Sequence, residues 1–366
     1  MNRRTALRHL ATCAAALAAT TPLSAGADAF AGDANLLAAP WAAWKAAYLT
    51  EEGRVVDGLQ DGASHSESQG YGLALAALFG DDAAFDSIFA WTEQNLAIRG
   101  DALLAWRWLP RGAGTVPDRN NASDGDLFYA WALVLRGTRD AAPAMIARAG
   151  AIARDLVATC VRPAPDGSGR LLFIPAAQGF DTDGAFVLNP SYYMPRAMRD
   201  VARATGASDL AVAAADGEAL IGDLARAGLT PDWVKVQPGG MVIPGDRPDR
   251  SGYEAIRVPL FLLWSGSTRH PAIVRQAQAY QRANATERIA TGDHVTVFDR
   301  VSGDVVETSR HVGYGAVAAL ITCAASRDRG APIAVFRTDD QAYYPATLHL
   351  MALVAQITGA PECMPI

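Results

Sequence analysis

The 366-residue chain is half hydrophobic, with 19% charged residues and a formal net charge of −6. That composition excludes extended disorder and supplies a large core, while the length alone is compatible with two ordinary domains or one large closed architecture. The acidic balance and the lack of a basic run argue against a polyanion partner, because nucleic-acid binders usually display a basic patch or stripe.

The chain opens on Arg3, Arg4 and Arg8, followed by an apolar stretch from Leu10 to Ala19 and small-residue cleavage candidates at Ala25-Gly26-Ala27, Ala27-Asp28-Ala29 and Ala29-Phe30-Ala31. This order reads as a signal peptide over residues 1–31. Arg3-Arg4 with Leu7 and Arg8 also resembles a twin-arginine signal, which stands on equal terms with ordinary secretion. The apolar run falls well short of the roughly 20 residues that a membrane-spanning helix needs, so no membrane anchor is expected after cleavage and residues 32–366 are expected to form one domain.

Apolar residues recur at helical spacing from Tyr71 to Phe79, Ala84 to Leu96, Leu127 to Leu135, Ala144 to Ala158 and Ser191 to Ala204. The pattern continues in Leu210 to Ala227, Ala255 to Trp264, Ala272 to Ala283, Ala316 to Ala325 and Ala342 to Ile357. Gly- and Pro-rich connections separate these segments. Strand character is confined to Leu171 to Ile174, Met241 to Ile243 and Val295 to Phe298. The expectation is an all-α fold of about ten to twelve helices with a few strand-like pieces in the loops. Gly70-Tyr71-Gly72 and Gly313-Tyr314-Gly315 each open an apolar helical run, an echo that suits stacked helical hairpins closed into a ring.

Cys160, Cys323 and Cys363 have no metal-ligand spacing. A Cys323–Cys363 disulfide is the candidate pairing, against the alternative that these are buried small hydrophobes. His311 and His349 carry no ligand spacing either, and no metal or other cofactor is expected.

Three segments place acidic residues at helix starts beside glycines and aromatics: Ser64 to Gly72, Asn120 to Leu127 and Ser251 to Pro259. Glycosidic cleavage needs one protonated carboxyl for the leaving oxygen and one carboxylate to activate water or attack the sugar, and acidic residues on separate segments can serve if their pKa values are pushed apart. Each segment also has a plainer explanation. Ser123 or Asp124 is a ready N-cap, and Glu254 with Arg257 has the spacing of a surface i,i+3 ion pair contributing about 0.2 to 0.5 kcal/mol. The three together are harder to explain that way.

These segments carry a resemblance. Gly53-Arg54-Val55-Val56-Asp57, His65 to Gly72, Asn120 to Leu127, Asn189-Pro190-Ser191-Tyr192-Tyr193, Pro231-Asp232-Trp233 and Tyr253 to Leu260 together resemble glycoside hydrolase family 8, specifically the secreted endoglucanases that accompany bacterial cellulose synthesis. The resemblance implies an (α/α)6 barrel with an open cleft across one end, hydrolysis of β-1,4-glucan with inversion at the anomeric carbon, and chemistry without a metal. Glu67 matches the general acid. Asp124-Gly125-Asp126 matches the helix-start aspartates, with Asp124 favoured for holding and distorting the sugar and Asp126 more structural, though also a candidate substrate contact. Glu254 takes the place of the general base, where relatives of this type carry aspartate; the extra methylene shifts the carboxylate by roughly one bond length, and misplacement of about 1 Å costs on the order of a hundredfold in rate. Arg257 is expected to keep Glu254 or a facing aspartate ionised. Ser68 stands where relatives often have glycine.

Sugar rings present apolar C–H faces and hydroxyls, so flat aromatics beside polar groups are the expected lining. Trp106, Tyr192 and Tyr193 are the candidates, with Trp91, Trp131 and Trp264 assigned to the core, and His65 is a candidate for tuning Glu67. The full expectation is a periplasmic or secreted, monomeric endo-β-1,4-glucanase whose partner is a glucan chain, with contact to the cellulose synthase complex as an option. Other β-1,4 polysaccharides (xylan, chitosan, mixed-linkage glucan) or a weakly active glucan-binding accessory role are the alternatives.

Overall fold

The computed structural model describes residues 36–286, 289–326 and 332–363; the expected signal peptide at residues 1–31 lies outside them. Eleven α-helices stand among the described residues: α1 (Ala38–Tyr48), α2 (Ser66–Phe79), α3 (Asp82–Asn95), α4 (Ser123–Arg139), α5 (Pro143–Cys160), α6 (Pro195–Thr205), α7 (Ser208–Ala227), α8 (Arg257–Trp264), α9 (Pro271–Ala285), α10 (Val312–Ser326) and α11 (Tyr343–Gly359). They form an (α/α)6 barrel.

Burial separates the two layers. Helices α2, α4, α8 and α11 are enclosed around most of their circumference, which is why their sequences read as almost continuous apolar runs. Helices α3, α5, α7 and α9 bury one stripe and leave charged residues on the other face. Aromatic rings from three inner helices meet at the centre: Tyr71 packs edge-on against Phe128 at 4.6 Å, and Phe128 lies 5.4 Å from Phe261. Trp91, Trp131 and Trp264 are buried, as expected.

Helix α1 closes the ring. Trp44 Nε1 donates to Thr347 Oγ1 on α11 at 2.9 Å, and Trp41 Nε1 donates to Asp81 Oδ2, beyond the end of α2, at 2.9 Å. The two echoed glycine motifs both mark close helix approaches. A Cβ at Gly70 would stand 2.8 Å from the carbonyl oxygen of Gly125, and one at Gly313 would stand 1.9 Å from that of Pro345.

Small antiparallel ladders fill the connections. Ser64–His65 pairs with Arg107–Trp108, Val161–Pro163 with Leu171–Phe173, and Arg250–Ser251 joins the hairpin of His294–Asp299 and Val305–Ser309. The fourth sheet runs in the order Asp181–Thr182, Ala185–Leu188, Val234–Gln237, Gly240–Val242. Cys323 on α10 is bonded to Cys363, and Cys160 is free and buried.

Candidate active site

Glu67 is the second residue of α2, Asp124 the second of α4, and Arg257 the first of α8. The starts of three inner helices therefore meet at one end of the barrel, where their unpaired amides and aligned peptide dipoles favour negative charge. A glycine allows the approach. A Cβ on Gly125 would lie 2.4 Å from Ser66 Oγ and 2.6 Å from the Glu67 nitrogen, so only glycine lets α2 and α4 cross closely enough to set Glu67 beside Asp124. Upstream of α2, the backbone N–H of Ser66 donates to the Trp106 carbonyl at 2.9 Å, and Ser68 Oγ accepts from the His65 N–H and donates to the His65 carbonyl, both at 2.9 Å. The serine at position 68 thus acts as a cap.

At the centre stands Arg257, 2% exposed. Its Nη1 pairs with Glu67 Oε2 and its Nη2 with Glu254 Oε2, so one guanidinium bridges two carboxylates from distant elements. Nη1 also donates to the Tyr71 hydroxyl at 3.0 Å and lies 3.5 Å from Asp124 Oδ2, while Nη2 donates to Ser191 Oγ at 2.7 Å. The rings of Tyr192 and Tyr344 sit 5.8 and 5.9 Å from the guanidinium carbon. Arginine suits this position because its planar fork serves several acceptors at once and does not lose its charge on burial.

Asp124 is 1% exposed. One oxygen accepts the Gly125 N–H at 2.8 Å; the other meets no hydrogen-bond donor among the described residues. Burial, reinforced by the negative charge of Glu67, holds its carboxyl well above the usual range, with Arg257 opposing. Glu67 and Glu254 are more open, with side chains 23% and 35% exposed. Glu254 is held from the other side by Asn189, whose Nδ2 donates to Oε2 at 2.8 Å; the Asn189 Oδ1 accepts from the Ser191 N–H and hydroxyl at 3.0 and 2.7 Å.

The half-buried Trp106 donates from Nε1 to Asp118 Oδ2 at 2.8 Å and stacks against His65 at 6.0 Å. Burial pushes the His65 imidazole below its ordinary pKa, with the charge of Glu67 opposing. Two of the candidate sugar contacts lie buried. Tyr193 is 1% exposed and its hydroxyl accepts the Phe173 N–H at 2.7 Å, so it braces the wall behind the site while Tyr192 faces Arg257. Asp126 is fully buried, its oxygens taken by the Leu104 N–H at 2.7 Å and Asn121 Nδ2 at 2.9 Å, and it shapes the loop before α4 instead of facing the opening. Helical alternation accounts for this: residues 124 and 126 lie about 200° apart around the helix axis.

Asn189, Ser191, Tyr71 and Tyr344 join the site without having been singled out as site residues. The Asn-Pro turn before Ser191 was the available signal for the first two, since asparagine at such a turn binds its own backbone two residues on. Tyr344 lies far along the chain, and only the ring closure brings it to Arg257.

A family model described as "Glycosyl hydrolases family 8" matches residues 14–358. A protein described as a probable endoglucanase from Novacetimonas hansenii is 38% identical over 235 residues, covering 63% of this chain and 68% of its own length. Among solved structures, the endo-beta-1,4-glucanase CMCax from Acetobacter xylinum superposes with a TM-score of 0.75 at 31% identity, covering 92% of this chain and 99% of that one. The endoglucanase Cel10 from Klebsiella pneumoniae, a family 8 glycosyl hydrolase, gives a TM-score of 0.75 at 27% identity, covering 87% and 99%.

Proposed function

The chain belongs to glycosyl hydrolase family 8, and from that premise we propose that it is an endo-β-1,4-glucanase acting on cellulose-type glucan with inversion, Glu67 serving as general acid and Glu254 as general base. The observation that carries the reading is the Arg257 fork, which holds Glu67 on one nitrogen and Glu254 on the other. One cation shared by two carboxylates from different segments sets a candidate acid and a candidate base around a single point, the pair of carboxyl groups that glycosidic cleavage requires.

Each group has a distinct task. Glu67 delivers a proton to the leaving glycosidic oxygen as the bond to the anomeric carbon breaks, and Glu254 takes a proton from the water that attacks the opposite face. Burial, with the charge of Glu67 beside it, disfavours ionisation of Asp124 in the free enzyme, and Arg257 opposes that shift. A sugar hydroxyl donating to the unpartnered Asp124 Oδ2 stabilises its carboxylate. Trp106 and Tyr192 flank the sugar, and Asn189 with Arg257 holds and aims the Glu254 carboxylate.

The basic and apolar N-terminal segment supports export to the periplasm or beyond, where a glucan chain is met. Action alongside a cellulose synthase complex, as a monomer, completes the proposal. The test is release of reducing sugar from carboxymethylcellulose by the chain without residues 1–31, beside xylan, chitosan and mixed-linkage glucan. Glu67→Gln is expected to lower turnover on carboxymethylcellulose by about 10²- to 10⁴-fold, the range of general acid catalysis. Preferential cleavage of another polysaccharide, or glucan binding with no Glu67-dependent cleavage, contradicts the reading.

A further inference from the structure

We infer that Asp232 is the positioning residue of this site: its buried carboxylate clamps the backbone on both sides of Glu254. The inference rests on the reading of Glu254 as the base, and it concerns what sets that side chain's origin instead of what holds its tip.

Residues 252–256 form the turn that enters α8, with the Ile256 N–H donating to the Gly252 carbonyl at 3.0 Å. Amides at a helix start lack partners within the helix and are ordinarily served by a nearby Ser, Thr, Asp or Asn. The stretch Gly252-Tyr253-Glu254-Ala255-Ile256 contains none of these, and its one carboxylate, Glu254, is turned to Arg257. The acceptor comes instead from another element. Asp232 Oδ1 accepts the Gly252 N–H at 2.8 Å and the Ala255 N–H at 3.0 Å, the two amides that bracket Glu254.

The clamp is itself built in. Asp232 is 3% exposed, its own N–H donates to the Arg250 carbonyl at 3.0 Å, and its Oδ2 accepts from Arg250 Nε at 3.1 Å. Arg250 reaches on to Glu307 at 3.7 Å, and Glu307 accepts from the Tyr253 hydroxyl at 3.2 Å. A Cβ at Gly252 would lie 2.9 Å from Asp232 Oδ2, so a larger residue there would dislodge the carboxylate. Asp232 lies just ahead of the strand Val234–Gln237, which places its backbone on a rigid sheet.

A glutamate has one more rotatable bond than an aspartate, so its carboxylate is well placed only if its Cα is fixed and its tip is tied. Arg257 and Asn189 tie the tip; Asp232 fixes the Cα without touching the reacting atoms.

The test measures kcat and KM on a cello-oligosaccharide for Asp232→Ala, Asp232→Asn, Gly252→Ala and Glu254→Gln, each with a thermal melt. Asp232→Ala is expected to lose about 100-fold in kcat with KM changed by no more than about threefold. Asp232→Asn keeps an oxygen acceptor for the two amides and recovers about tenfold of that loss. Gly252→Ala loses about tenfold in kcat at unchanged KM, and it decides the matter if Asp232→Ala does not fold. Equal losses in Asp232→Asn and Asp232→Ala, a loss that falls on KM, or wild-type kcat in Gly252→Ala overturns the inference. A Glu254→Gln enzyme with wild-type turnover removes the base assignment instead; an inactive Glu254→Gln beside a fully active Asp232→Ala removes the inference alone.

Discussion

A guanidinium held at 2% exposure is tolerable only with its charge met, since breaking a buried ion pair by removing one partner typically costs about 3 to 5 kcal/mol. Arg257 has the reverse problem as well: with Glu67, Asp124 and Glu254 around it, acidic groups outnumber the cation. Burial, reinforced by Glu67, pushes the Asp124 carboxyl above the usual range, the direction that reduces this excess. Arg257→Lys should therefore retain charge but lose the fork, because an ammonium is a compact point charge on a flexible stem. The expected outcome is a drop of about 100-fold in kcat/KM on cello-oligosaccharides from misplacement of one carboxylate, with a folded protein by circular dichroism; activity within about twofold of wild type would contradict the account. At this scale the sequence was informative about residue types and segments. It favoured Asp124 over Asp126 for the sugar contact and kept both members of each neighbouring pair as candidates. Asp124 from Asp126 and Tyr192 from Tyr193 are resolved by which face of a short helical turn each occupies, and the hydrogen bonds that bury Asp126 and Tyr193 come from Leu104, Asn121 and Phe173, partners that no local pattern reveals.

The elements matter through their ends and crossings. Gly125 sits where α2 meets α4, and Gly125→Ala places a methyl 2.4 Å from Ser66 Oγ and 2.6 Å from the Glu67 nitrogen. The predicted cost is about 1 to 3 kcal/mol of stability, the usual range for overpacking, accompanied by a fall in kcat as Glu67 shifts away from Asp124; denaturant titration and initial rates check both. Helix α11 offers a pH prediction. His349 is wholly buried, its Nε2 donating to the Ala334 carbonyl at 2.9 Å, and burial lowers its pKa from 6.5 to about 4. A depressed pKa means the unfolded chain binds the proton more readily. The contribution is therefore fully present above about pH 6.5 and is lost as pH falls through about 4, up to about 3 kcal/mol in all. His349→Gln should flatten stability between those pH values relative to wild type, measured by urea unfolding at pH 4.5 and 7. Most helices were legible from their apolar periodicity, within a few residues at each end. Two departures have physical causes. The run read from Ser191 to Ala204 is a 3₁₀ turn at Pro190–Tyr192 followed by α6 from Pro195, because proline disfavours the helical conformation in the residue before it. Helix α1 was not read at all, although Trp41, Trp44 and Tyr48 form its buried stripe at i, i+3 and i+7.

The molecule as a whole turns a series of hairpins into a site by closing the ring. The candidate site draws on α2, α4, the turn before α6, the start of α8 and Tyr344 on α11, so residues up to 277 positions apart in the chain (344 − 67) meet around one guanidinium. The repeat echo and helix count pointed to such closure, and the Cys323–Cys363 pairing is present. The strands of the sheet carrying Val234–Gln237 were mostly missed, because two- to four-residue strands are too short for a period to emerge. The measurement that tests the central claim most directly is proton NMR of cello-oligosaccharide hydrolysis by the chain without residues 1–31, followed from the first turnovers. Glu67 and Glu254 acting from opposite faces through a water predict that the α-anomer appears first and mutarotates afterwards. Initial release of the β-anomer, or no cleavage at all, would contradict the account.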